Sequence, residues 1–186
     1  MIILASKSPR RKSLMSKITN DFLTYDSDID EHASYHFNNH LDIVSDISYR
    51  KAKKALEAYP NDIILAADTI VVLDNEIIGK PKDNKDAFDM LKKLSDRTHE
   101  VVTSYTLINK NKIIRNKVIS KVTFNKLTDD LISAYVSTGS PLDKAGGYGI
   151  QENDKFPLVK SYSGSYENIV GFPTDEIKED LEKIKK

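Results

Sequence analysis

The chain has 186 residues, enough for one domain with a substantial core, and equal numbers of basic and acidic residues, 28 of each. The resulting net charge of zero removes any overall attraction to nucleic acid or to an anionic membrane. Cysteine is absent, which excludes disulfides and thiolate metal sites, and no apolar run suits a membrane span or a signal peptide. We expect a cytoplasmic protein with a single domain over residues 1–186.

The first residues predict a strand, a tight turn and a helix start. Ser8 suits the N-cap position, and Pro9 suits the first helical position, where no amide hydrogen is needed. Arg10 and Arg11 then stand in the first turn, where the helix dipole disfavours cations by roughly 0.3–1 kcal/mol each. Two interpretations stay open: a phosphate or carboxylate bound at this helix start, or a capped surface helix with both arginines in water.

An acidic stretch and a long helix follow the short strand predicted near residues 22–25. Asp30 and Glu31 belong either to an exposed loop or to a segment that lends a carboxylate to a magnesium–phosphate complex. The apolar spacing from Leu41 to Tyr59 is helical, and Lys51 is one of several basic residues on this helix. Most of these basic residues are expected to face solvent, and only one that faces a cleft would act in function.

Residues 63–73 form an apolar run that is interrupted only by Asp68 and Thr69, and the run predicts a central strand. A carboxylate in such a run is costly to bury unless it is paired, hydrogen-bonded or bound to metal. Asp68 is therefore the strongest catalytic candidate, and a structural aspartate that binds loop amides is the alternative. The turn that follows returns the chain towards this strand and carries Lys80 with it. Gly79-Lys80 lacks the remaining features of a P-loop.

The second half of the chain reads as alternating regular elements. Asp83 and Thr128 are predicted to cap helices, and residues 98–126 are predicted to form two antiparallel strands joined near 109–112. Gly139 ends the helix that begins after Thr128, and Thr174 is predicted to cap a C-terminal helix.

Residues 140–173 are rich in glycine and read as loops, which in compact domains are often functional. Tyr148 and Gln151 are candidates for stacking on a nucleotide base or for hydrogen bonding to its edge. The alternative is a pair of turns around a core tyrosine.

Eight motifs in this order resemble the Maf family of nucleoside triphosphate pyrophosphatases across nearly the whole chain. They are Ser8-Pro9-Arg10-Arg11, Asp30-Glu31, Lys51-Ala52, Ala67-Asp68-Thr69, Gly79-Lys80-Pro81, Leu94-Ser95 with Arg97-Thr98-His99, residues 141–151, and residues 164–173. The resemblance implies an α/β fold: a mixed twisted sheet flanked by helices, with two lobes around a central cleft, similar to inosine triphosphate pyrophosphatases. It also implies a homodimer.

The resemblance further implies hydrolysis between the α and β phosphates, which gives a nucleoside monophosphate and pyrophosphate with a divalent metal, Mg or Mn. It makes Asp68 the general base and assigns metal binding to Glu31 and Asp68. In-line attack on phosphorus needs a positioned water, a metal and cationic groups. By the same resemblance, the residues that neutralise the triphosphate are Arg11, Lys51 and Lys80, and Ser8 belongs to the substrate site. The resemblance also matches Arg10, Thr69 and Gln151 to the branch of the family that prefers dTTP and UTP.

Three positions depart from the family pattern. Ser140 replaces a glutamate, Glu152 replaces a glycine, and Ala66 replaces a glycine. These departures bear on loop geometry and base preference and leave the implied catalytic groups in place. Two alternatives stay open: the same chemistry on CTP or 7-methyl-GTP, or a non-catalytic nucleotide- or nucleic-acid-binding regulator linked to cell division.

Overall fold

The computed structural model describes residues 1–186 and contains seven strands and six α-helices. None of the helices combines the length and the apolar character needed to cross a membrane. The strands are β1 (Ile2–Ala5), β2 (Leu23–Tyr25), β3 (Ile63–Leu73), β4 (Glu76–Ile78), β5 (Thr98–Ile108), β6 (Ile113–Phe124) and β7 (Val159–Ser163). The helices are α1 (Pro9–Met15), α2 (His40–Ala58), α3 (Asn84–Leu94), α4 (Asp129–Val136), α5 (Tyr166–Val170) and α6 (Thr174–Lys185).

The strands form one mixed sheet in the order β2-β1-β3-β5-β6-β7, with β4 paired to β3. β1 runs parallel to both β2 and β3. β4 pairs antiparallel with the end of β3, and β7 pairs antiparallel with β6. A mixed sheet with helices confirms the predicted α/β class. β3 is buried along nearly its whole length, as its continuous apolar run predicts.

The chain forms two compact units. The first contains residues 1–69, 103–118 and 171–186, and the second contains residues 70–102 and 119–170. In the core of the first unit, Ala52 and Ala55 of α2 are fully buried in one cluster with Ile3 of β1 and Ile64 of β3. Small side chains let a helix lie close to its strands, so α2 carries Lys51 to the middle of β3, where it meets Asp68.

The core of the second unit is built from α3, α4 and the strand segments beside them. His99, Phe124 and Tyr148 form an edge-to-face aromatic cluster with ring centroids 4.7 to 5.3 Å apart. Gly146 has a φ of +72°, and a Cβ atom there would lie 2.8 Å from Val71 Cγ2. Only glycine fits this turn without a backbone shift.

Most local predictions are confirmed by the helix ends and strands. The Asp83 side chain accepts a hydrogen bond from the Asp86 amide, and Thr128 accepts one from the Leu131 amide. The Thr174 cap was wrong, because Thr174 is the first helical residue of α6 and Pro173 occupies the N-cap position.

Residues 140–173 hold more regular structure than their glycine content predicts. They contain three 3₁₀ turns together with β7 and α5. β7 escapes prediction because its sequence, Val-Lys-Ser-Tyr-Ser, has one buried residue and a polar remainder. Pairing with β6, and not an apolar pattern, gives it strand geometry.

Candidate active site

The turn between β1 and α1 has the predicted cap. Ser8 Oγ accepts a hydrogen bond from the Arg11 amide at 3.4 Å, and the Ser8 amide donates to Ser6 Oγ at 3.1 Å. Pro9 occupies the first helical position. This geometry fixes the direction in which the two arginines of the first turn leave the helix.

The side chain of Arg11 reaches the middle of β3. Its Nε donates to the carbonyl of Gly171 at 2.9 Å, and its Nη2 donates to Thr69 Oγ1 at 3.0 Å. Burial lowers the pKa of Arg11, and the negative charge of Asp68 opposes this shift. Arg11 is thus a fixed cation beside Asp68, held by a carbonyl and a hydroxyl.

Arg10 is partly exposed in the same first turn. The hydrogen bond to Thr69 is made by Arg11, although the family resemblance groups Thr69 with Arg10. The two neighbouring arginines therefore have different structural positions.

Lys51 joins two carboxylates that are distant in the sequence. Its Nζ lies 2.7 Å from Glu31 Oε1 and 2.9 Å from Asp68 Oδ1. The Asp68 side chain is 12 % exposed, and that of Glu31 is 48 % exposed. Burial raises the pKa of Asp68, and the cations Lys51 and Arg11 oppose this rise. Asp68 thus combines the raised basicity of a buried carboxylate with cations that favour its ionised form.

The acidic stretch is folded onto α2. Residues Glu31–Ser34 form a 3₁₀ turn that is capped by the side chain of Asp30. Arg50 donates through one nitrogen to the Asp30 carbonyl at 2.8 Å and to Ser34 Oγ at 2.9 Å, and Ser34 donates to Asp46 at 2.7 Å. These contacts place Glu31 beside Lys51.

The two carboxylates fit a divalent cation in the chemistry of their ligand atoms. Nowhere do three or more His, Cys, Asp or Glu side chains form a metal cage. Glu31 and Asp68 converge on a single ammonium, so the space between them already accommodates positive charge. Magnesium is commonly held by one or two carboxylates together with substrate phosphates, and this pair is such a set.

The remaining two predicted site residues, Lys80 and Gln151, belong to the second unit. Lys80 is exposed and follows β4, and the preceding Gly79 carbonyl accepts a hydrogen bond from the Gly146 amide at 3.0 Å. Gln151 is exposed in the 3₁₀ turn Ile150–Glu152. Tyr148, the other candidate for base contact, is a core residue that is bonded to His99 at 2.6 Å.

Sequence reasoning missed three residues at the first-unit cluster. Thr103 lies 2.9 Å from Thr69, oxygen to oxygen, and Gly171 supplies the carbonyl that holds Arg11. Burial raises the pKa of Tyr35, and the charges of Asp68 and Glu31 act in the same direction. Thr103 could have been found from the sequence, because it places a polar hydroxyl in the buried part of β5. Gly171 lies in the glycine-rich stretch 140–173 and in the motif 164–173, which were the available signals for it, whereas no local pattern marks Tyr35.

Known proteins resemble this chain along almost its whole length. A family model described as Maf-like protein matches residues 1–184. The dTTP/UTP pyrophosphatase of Dictyoglomus turgidum is 44% identical over 174 residues, which cover 92% of this chain and 90% of the relative. A relative with the same name from Pyrococcus furiosus is 45% identical over 172 residues. Another from Clostridium botulinum (strain Eklund 17B) is 43% identical over 185 residues. The alignment with the first covers 92% of this chain and 89% of the relative, and the alignment with the second covers 98% of each.

Among solved structures, the Staphylococcus aureus Ham1 protein superposes with a TM-score of 0.57 at 14% sequence identity and covers 98% of both chains. At this identity the likeness concerns the fold.

Proposed function

Since this chain belongs to the Maf family, we propose that it is a nucleoside triphosphate pyrophosphatase that hydrolyses dTTP and UTP to the monophosphate and pyrophosphate. The relatives of similar length that carry this name support the substrate choice. The observation that carries the chemistry is the buried carboxylate of Asp68, which pairs with Lys51 and lies beside Arg11.

In this proposal Asp68 is the general base. Its carboxylate accepts a proton from the water that attacks the α-phosphorus, and burial favours that transfer because the pKa of Asp68 is raised. Lys51 and Arg11 hold the carboxylate ionised before the reaction. The bond that breaks joins the α-phosphorus to the oxygen bridging it to the β-phosphate, and pyrophosphate leaves with that oxygen.

The cations neutralise the triphosphate. Arg11, Lys51 and Lys80 are the proposed ligands of phosphate oxygens, and Ser8 belongs to the same substrate site. An arginine that is fixed by a carbonyl and a hydroxyl needs little reorganisation when charge develops in the transition state. Arg10, Thr69 and Gln151 are the proposed residues of base choice.

Glu31 and Asp68 are the proposed ligands of a divalent cation, Mg or Mn. Such an ion, when bound, supplies charge neutralisation and orientation of the phosphates. Lys51 contacts both carboxylates, so a cation that bound them would displace its ammonium, and in this proposal the ammonium then pairs with a phosphate oxygen of the substrate.

The direct test is a product assay over a panel of nucleotides. Purified protein with magnesium or manganese is expected to release pyrophosphate from dTTP and UTP faster than from CTP or 7-methyl-GTP. Orthophosphate and a nucleoside diphosphate as products would contradict the mechanism. A preference for CTP or 7-methyl-GTP would contradict the assignment of base choice.

Asp68→Asn tests the general base. This variant keeps the shape of the side chain and removes its charge, so turnover is expected to fall by at least roughly a hundredfold, within the range of general base catalysis. Asp62→Asn, at an aspartate paired with the N-terminal amine, is the control expected to keep its activity. An Asp68→Asn protein of normal fold and normal turnover would remove Asp68 from the mechanism.

A further inference from the structure

Glu152 is the centre of a hydrogen-bond network in the second unit. Its Oε1 accepts hydrogen bonds from Ser140 Oγ at 2.7 Å and from the Tyr135 hydroxyl at 3.1 Å, and it lies 3.7 Å from Lys144 Nζ. Burial raises the pKa of Tyr135, so its hydroxyl stays protonated and serves as a donor. One carboxylate oxygen thus ties the 3₁₀ turn Ile150–Glu152 to α4 and to the segment before Lys144.

Further hydrogen bonds complete the network, among them those from Lys144 Nζ to Ser140 Oγ and to Asp143 Oδ1, each at 2.9 Å. The Tyr135 hydroxyl accepts a hydrogen bond from the Gly149 amide at 3.0 Å, and Lys144 Nζ donates to the Ser140 carbonyl at 2.7 Å. Lys144 and Tyr135 are buried, whereas Glu152 and Ser140 are partly exposed, so the network lies at the edge of the core. Ser140 and Glu152, two of the positions that depart from the family pattern, are therefore direct partners in this chain.

Gly149 provides the space in which the neighbouring side chains lie. A Cβ atom at position 149 would be 2.7 Å from the amide nitrogen of Gln151 and 3.0 Å from Glu152 Oε1. The φ of Gly149 is −122°, which any residue adopts, so the glycine is needed for space and not for backbone conformation. The exposed Gln151 side chain and the Glu152 carboxylate therefore both lie against the face of Gly149 that a methyl group would occupy.

The orientation of a glutamine amide decides which base edge it reads. Uracil and thymine present an N–H donor beside a carbonyl acceptor, whereas cytosine presents an acceptor beside an amino donor. An amide that rotates by half a turn exchanges its own donor and acceptor and satisfies either edge equally well. Discrimination between these bases requires that the amide be held in one orientation.

We propose that Glu152 is a positioning residue for base choice: through its network with Tyr135, Ser140 and Lys144 it holds Gln151 in the orientation that favours uracil and thymine over cytosine. The inference rests on the proposed function, and in particular on the role of Gln151 in base choice. Glu152 acts through Gln151 and does not itself contact the substrate.

A double-mutant cycle tests the coupling. The measured quantity is the ratio of kcat/KM for UTP to that for CTP in the wild type, Glu152→Ala, Gln151→Ala and the double variant. Glu152→Ala is expected to lower this ratio roughly tenfold, because a misplaced amide accepts both bases. In the Gln151→Ala background, the same change is expected to alter the ratio less than about twofold, because the two residues act as one unit.

Conservative and matched variants separate positioning from loss of fold. Glu152→Gln keeps an oxygen that accepts from Tyr135 and Ser140, so it is expected to retain most of the discrimination. Asp154→Ala removes an exposed carboxylate two residues further on and is expected to leave the ratio and kcat unchanged. Gly149→Ala places a methyl group where the Gln151 amide lies and is expected to lower the ratio as Glu152→Ala does.

The outcomes are distinguishable. An active wild type whose ratio is unchanged by Glu152→Ala, or lowered equally in both backgrounds, would overturn the role of Glu152 and leave the proposed function standing. A wild type that releases pyrophosphate from no nucleotide would refute the proposed function, and the positioning role would fall with it.

Discussion

At the scale of single residues, the ammonium of Lys51 faces two carboxylates that differ in exposure. The Asp68 side chain is nearly buried, whereas the Glu31 side chain is about half exposed at 48 %. Loss of Lys51 would leave a buried carboxylate without its closest cation, which is costly, whereas loss of Glu31 leaves the pair of Lys51 and Asp68 intact. Changes at Glu31 therefore separate metal binding from stability.

Glu31→Gln is expected to raise the magnesium concentration for half-maximal activity roughly tenfold, because one of the two proposed anionic ligands is lost. The free energy of unfolding is expected to change by less than about 1 kcal/mol, because the Glu31 side chain is about half exposed and the ion pair of Lys51 with Asp68 remains. Magnesium titrations of turnover and denaturant unfolding measure the two effects. Asp28→Asn, an exposed carboxylate in the same stretch, is the control, and an unshifted magnesium curve for Glu31→Gln would exclude Glu31 as a ligand.

His99 is a second residue whose environment has a measurable consequence. It is 2 % exposed, its Nε2 lies 2.6 Å from the Tyr148 hydroxyl, and its Nδ1 is buried without a hydrogen-bond partner. Burial lowers the pKa of His99 from 6.5 to about 4. Between these values the unfolded chain binds a proton that the folded protein does not bind, so stability falls as the pH falls through this window.

We expect the neutral His99 to contribute up to about 3 kcal/mol to stability above its unfolded pKa, and this contribution to be lost by about pH 4. Denaturant unfolding at a series of pH values between about 7 and 4 measures the slope of the free energy of unfolding against pH. His99→Gln should flatten the slope, whereas His36→Gln, at an exposed histidine, should not. Equal slopes for the wild type and His99→Gln would show that another group titrates there.

At the scale of elements, the 3₁₀ turn Glu31–Ser34 and helix α2 act together. Arg50 donates to both the Asp30 carbonyl and Ser34 Oγ, and Lys54 donates to the carbonyl of Asp28. The helix therefore supplies Lys51 and also the donors that hold the turn with Glu31. A short polar segment of this kind has little apolar area of its own to bury, so these hydrogen bonds determine its order.

Arg50→Ala is expected to speed amide hydrogen exchange over residues 28–34 and to lower kcat/KM roughly tenfold, because Glu31 is no longer held beside Lys51. Lys53→Ala removes an exposed cation from the same helix and is expected to change neither quantity. Unchanged exchange over residues 28–34 in Arg50→Ala would show that other contacts order the turn.

At the scale of the whole molecule, the balanced charge distinguishes an enzyme from a nucleic-acid-binding regulator. With 28 basic and 28 acidic residues, the chain lacks the excess of cations that drives non-specific binding to phosphate backbones. Cations occur instead in specific places such as Lys51 and Arg11, where they pair with side chains or carbonyls. The cytoplasmic location, the single domain over residues 1–186 and the homodimer stay predictions.

We expect no mobility shift of duplex DNA at about 0.15 M salt, because no counterion release offsets the loss of translational freedom. The measurement is a gel shift over a range of salt concentrations, with pyrophosphate release measured on the same preparation. Salt-sensitive DNA binding without nucleotide turnover would favour the regulator instead.

Much of the fold was predictable because its signals are local. The apolar run of β3, the cap at Ser8 and the pair of strands over residues 98–126 each depend on residues within a few positions. The polar edge strand β7 was not predictable, because it takes its geometry from pairing with β6. The resemblance to the Maf family also needed only the ordered motifs.

Local patterns in the chain were enough to show that Asp68 interrupts a buried strand, that two arginines begin the first helix, and that the family chemistry concerns nucleotides. The folded structure was needed to show that Lys51 lies between Glu31 and Asp68, that Arg11 binds Thr69, and that Glu152 is bonded to Ser140 and Tyr135. The difference lies in the sequence separation of the interacting residues. Caps and strands depend on neighbours in the chain, whereas ion pairs and shared hydrogen bonds depend on how helices and loops pack against the sheet.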